Sequence, residues 1–163
     1  MVEVDYVEPG ITLHHSDVVD TAELYQIMKH WLEKRNYLFY EKEYHDTLKK
    51  EDRSLLIKWR ADKKIDDYTK FVIEIKITGS DLSTVKLKNK KAMKGNITLA
   101  FESYLETDYE NRFESSTILK IFRGLYDKLI LTSKTQRYEK ELKDETYAFR
   151  QDIKTYLGME KTV

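Results

Sequence analysis

Leu55, Ile57, Trp59 and Ala61 alternate with Lys58 and Arg60, and the same period of two recurs through the middle of the chain. Phe71, Ile73, Ile75 and Ile77 alternate with Glu74 and Lys76. Val85 and Leu87 alternate with Lys86, Lys88 and Lys90. Ile97, Leu99, Phe101, Ser103 and Leu105 alternate with Thr98, Ala100, Glu102, Tyr104 and Glu106. Such alternation is the signature of a half-buried strand, because successive side chains point to opposite faces of a sheet. Strands with one apolar and one polar side assemble into an antiparallel sheet with one face packed and one in water. The outward residues of these strands are mostly basic.

The chain has 163 residues, which fits one domain with a core large enough to stand without disulfides or metal. It has no cysteine, so thiol catalysis and thiolate metal sites are excluded. No apolar run approaches the roughly 20 residues of a membrane helix. The first residues, with Glu3, Asp5 and Glu8, lack the basic and apolar regions of a signal peptide, so the expected location is the cytoplasm. Charged residues make up 36%, against three glutamines and four asparagines, the bias of a thermophile and consistent with an archaeal source. The net charge of zero hides segregation: residues 1–48 carry ten acids and four bases, whereas residues 49–94 carry fourteen bases and seven acids.

The chain is organised as a single α+β domain, 1–163. Residues 1–16 form an arm or short strand, with Val2, Val4 and Tyr6 alternating before a turn at Pro9-Gly10. A helix is expected over 20–35, capped by Asp20 with Glu23 three residues on. Its stripe is Ala22, Leu24, Ile27, Met28, Trp31 and Leu32. Residues 37–107 form an antiparallel meander of about five strands, with turns at Asp66-Asp67, Gly79-Ser80-Asp81 and 93–96. Residues 116–157 form two helices, the second starting at a capping box of Ser133 and Gln136. Their stripes are Ile118, Leu119, Phe122, Leu125, Tyr126, Leu129 and Ile130, then Tyr138, Leu142, Phe149, Ile153 and Tyr156. The helices are expected to pack on one face of the sheet.

This order of elements resembles helix-grip (START-like) domains, in which a bent antiparallel sheet wraps a C-terminal helix. That resemblance implies a cavity for an apolar ligand between sheet and helix. The stretch from Ser103 to Glu110, followed by Gly124 to Lys128, also resembles small uncharacterised archaeal proteins and implies no activity.

The sequence carries little catalytic signal. His14, His15, His30 and His45 lack metal-ligand spacing. Asp66-Asp67 and the acids Glu106, Asp108 and Glu110 read as solvated turn residues rather than an acid–base pair. The glycine-rich, nucleophile-elbow and metalloprotease motifs are absent. The expectation is a non-enzyme with no cofactor and no metal. The basic face is the better lead. Lys58, Arg60, Lys63, Lys64, Lys76, Lys86, Lys88, Lys90, Lys91 and Lys94 form a candidate surface for RNA or a ribonucleoprotein such as the ribosome, held through phosphates. A rival reading of the charge segregation is a protein–protein adaptor. The apolar stripe of the last helix is either core or the seam of a homodimer.

Overall fold

The computed structural model describes residues 2–110, 121, 124–125 and 131–158. It is an α+β fold built on one five-stranded antiparallel sheet. The strands are β1 (Glu3–Val19), β2 (Leu38–Lys49), β3 (Asp52–Lys64), β4 (Thr69–Leu87) and β5 (Lys90–Thr107), in the spatial order β1-β5-β4-β3-β2. Strands β2 to β5 form the expected meander, and β1 closes against β5. Helix α1 (Thr21–Lys34) links β1 to β2, and helix α2 (Leu131–Tyr156) ends the fold.

Both helices lie on the apolar face of the sheet. Leu55, Ile57, Trp59, Ala61, Phe71, Ile73, Ile75, Ile77, Leu99 and Phe101 are buried there. Leu142, Phe149 and Ile153 of α2 are fully buried against them, and Phe149 stacks on Trp31 of α1 with centroids 4.4 Å apart. The stripe of α2 is thus spent on its own core. Tyr138 closes one end, with its hydroxyl donating to Asp66 at 3.1 Å. Tyr37 and Lys63 both donate to Glu145, at 2.5 and 2.8 Å, and tie α2 to the sheet.

The cap of α1 is as expected, with the Asp20 carboxylate accepting from the Glu23 amide at 2.9 Å. Its apolar stripe buries Leu24, Met28, Trp31 and Leu32, while Ala22 stays exposed. Several expected boundaries differ. The N-terminal arm is a strand of 17 residues. Pro9-Gly10 falls within the second of two register shifts, between Glu8 and Ile11, rather than at a chain reversal, which an edge strand tolerates because its outer N–H groups need no partner. The expected turn at 79–81 is a bulge between Ser80 and Ser83, so Val85 and Leu87 are the far end of β4 rather than a separate strand. The expected turn at 93–96 is continuous β5. Gly95 is there because a Cβ would lie 2.7 Å from the Asp81 carbonyl oxygen at the bulge. Ser133 is the third residue of α2 rather than its N-cap. The expected helix over 116–130 falls outside the described residues, apart from Ile121, Gly124 and Leu125, which are helical.

Candidate functional site

The sheet places the basic residues in several environments. Lys58, Arg60 and Lys76 point away from the helices, with Lys42 of β2 alongside. Together with Glu43, Glu74 and Glu102 they line a shallow groove of about 530 Å³ on the outer face. The register makes this groove mixed in sign: Arg60 lies opposite Glu74, Glu74 opposite Glu102, and Lys58 opposite Glu43.

These opposed charges are engaged. Lys58 Nζ donates to Glu43 at 2.9 Å. That hydrogen bond holds the Glu43 carboxyl below its usual range, against a smaller desolvation effect. Arg60 donates to Glu106 and to the Tyr104 hydroxyl, and lies 3.8 Å from Asp62. Burial alone would lower the Arg60 pKa, but the Glu106 hydrogen bond and the nearby Tyr104, Glu106 and Asp62 raise it. Tyr104 donates in turn to Glu74 at 3.0 Å, and its ring lies 5.4 Å from that of Tyr6. Desolvation is the main cause of its raised pKa. Tyr104 alternates with the core residues of β5 and so faces outward, but it is 6% exposed and closed to base stacking. Lys76 makes no hydrogen bond or ion pair among the described residues.

Two of the expected basic residues leave this face altogether. Lys63 points to the helix side, bound to Glu145 and lying over the rings of Tyr37 and Phe71. Lys64 sits at the end of the sheet near Asp67, 3.0 Å away, which raises its pKa with help from Tyr109.

The remaining lysines gather at the other end. Beyond the bulge, β4 and β5 run past their neighbours as a hairpin. The pairing of β3 with β4 stops at Leu55–Gly79, and that of β1 with β5 stops at Val19–Met93. Lys86 lies directly opposite Lys91. The expectation that Lys86, Lys88 and Lys90 share one strand face fails, because Lys88 and Asn89 form the turn and Lys90 begins β5. Lys88 takes a left-handed conformation there, at φ 51°. Lys86, Lys88, Lys90, Lys91 and Lys94 are all exposed. Among the described residues their one carboxylate contact is Lys90 to Asp20, at 4.0 Å.

The tip of the β2–β3 hairpin joins this end. Arg53 donates to Thr84 at 3.3 Å and forms a two-point pair with Asp46, at 2.8 and 2.6 Å. Leu48, Glu51 and Arg53 of this tip line a groove with Leu82, Ser83 and Thr84 of β4, and Lys49 and Lys50 lie in the same tip. Glu51 and Asp52 lie in the same tip, so it is not uniformly basic.

The arrangement suits charge contact with phosphates. No cluster of three or more metal-ligating side chains occurs among the described residues. His14 instead bonds Thr98 at 3.0 Å, and His45 lies 3.9 Å from Glu43. No helix among the described residues is long and apolar enough to cross a membrane. Compared with known family models and with curated proteins, the sequence matches none.

Proposed function

We propose that this chain is a non-catalytic binding protein that contacts RNA or a ribonucleoprotein, and that the contact is centred on the β4–β5 hairpin. The supporting observation is the direct opposition of Lys86 and Lys91 beyond the edge of the sheet, with Lys88, Lys90 and Lys94 beside them. Like charges directly opposite across two strands destabilise a hairpin. An anionic partner relieves that repulsion. Lys58, Arg60 and Lys76 play a lesser part in this reading, because the outer groove already holds carboxylates beside them.

Phosphate contact by lysine releases counterions, so affinity falls linearly on a log–log plot with salt, by about 0.7 per phosphate for a single strand. The test is binding of a fluorescent single-stranded RNA and of an RNA hairpin across a salt series. The expected result is a slope of about −2 to −4 for both, reflecting three to five lysine contacts. Absence of binding at low salt, or a slope near zero, would contradict the proposal.

A further inference from the structure

The two edges of the sheet are finished differently. Edge β1 is blunted by Pro9 and by two register shifts, whereas β2 has one shift, between Glu41 and Glu43, and no proline. Edge β2 pairs only with β3 among the described residues, so the hydrogen-bonding groups on its other side have no sheet partner. Yet it carries Leu38, Tyr40, Tyr44 and Leu48, which are 48 to 68% exposed. Apolar side chains along an open edge are the reverse of the usual protection.

The geometry points to β2 as the contact for a second copy of this chain, its edge pairing antiparallel with the same edge of the partner. A two-fold axis makes such a contact self-complementary. Opposed residues in the ladder must then point to the same face. In an unbroken strand this restricts pairing to residues of like parity. The register shift between Glu41 and Glu43 inserts Lys42 as an extra residue, reversing the parity along β2. Leu38 and Tyr40 therefore share the outer face with His45 and Thr47. Lys42 and Glu43 both line the outer groove.

One register that spans the bulge keeps every opposed pair on one face. It sets Leu38 opposite Thr47 of the second copy, Tyr40 opposite His45, and Lys42 opposite Glu43. By symmetry each pair occurs twice. The central charges are complementary: Lys42 has no carboxylate partner among the described residues, and it meets a glutamate that now serves one lysine. The two sheets become a single sheet of ten strands. Antiparallel pairing puts the two lysine hairpins at opposite ends, so this inference stands or falls apart from RNA binding.

Sedimentation equilibrium across a concentration series tests it. The wild type is expected to approach twice the 19.5 kDa chain mass. Lys42→Glu sets two glutamates opposite each other twice, and should raise the dissociation constant about tenfold or more. Adding Glu43→Lys to that variant should restore association. Hydrogen exchange of the wild type supplies a readout independent of any variant, with amides of Leu38–Lys49 slowing as concentration rises. A monomer at all concentrations would overturn the inference. So would a dimer whose constant is unmoved by Lys42→Glu, or whose β2 amides exchange at a rate independent of concentration.

Discussion

At the centre of the outer sheet face, Lys58 lies opposite Lys76 but is paired with Glu43, and Arg60 reaches Glu106 two strands away, whereas among the described residues the lysines of the β4–β5 hairpin have one carboxylate contact, Lys90 to Asp20 at 4.0 Å. The strands at the centre have neighbours on both sides, so side chains from three or four strands converge and opposite charges meet. The hairpin has outrun its neighbours. Among the described residues Lys86 and Lys91 have only each other across the ladder, while Lys94 still lies opposite Val18 of β1. A count of bases along a chain is therefore a poor guide to available charge. What matters is how many strands lie alongside.

The largest stability effect expected at the paired centre comes from Arg60→Ala. Glu106 and Tyr104 lose their donor, and the Glu106 side chain is only 14% exposed. A cost of about 2 kcal/mol in urea unfolding follows for a charged hydrogen-bonded group left unpaired. The hairpin offers no counterpart, so Lys88→Ala should stay within about 0.5 kcal/mol of wild type. Equal effects at the two sites would break the comparison.

A smaller effect separates the regions by pH. Burial holds Tyr104, Tyr37 and Tyr156 neutral in the folded chain beyond the range in which they ionise when unfolded. Their contribution is fully present below about pH 10, the unfolded tyrosine value, and is lost as pH rises toward the higher folded values. Stability measured by urea unfolding should fall above about pH 10, and Tyr104→Phe should flatten part of that fall. A stability that rises with pH there would contradict the assignment.

Much of this layout is legible in the residues. Strands β3 and β5, and β4 up to the bulge, show clean alternation because one side meets the core and the other water. The cap of α1 follows from Asp20 and Glu23 alone. The extent of β1 was hidden because Pro9-Gly10 has the composition of a turn, and only pairing with β5 turns it into a bulge on an edge. Gly79-Ser80-Asp81 likewise has the composition of a turn, and only its pairing with β5 makes it part of a bulged strand. The candidate site was legible as a list of lysines but not as a surface. Lys63, expected with the basic surface, turns to the helix side, and nothing local shows that Glu145 waits there, 82 residues away. Nor does local sequence reveal that Glu106 reaches Arg60, or that Arg53 reaches Thr84 of β4.

The most direct test of the account compares two charge-reversed proteins in one RNA titration. One carries Lys86→Glu, Lys88→Glu and Lys90→Glu; the other carries Lys58→Glu and Lys76→Glu on the sheet face. Circular dichroism establishes that both are folded. The account predicts that the hairpin variant binds at least about tenfold more weakly at low salt and that its salt slope drops by about 2, while the face variant stays within a few-fold of wild type. A folded hairpin variant with unchanged affinity, or a face variant with the greater loss, would contradict it.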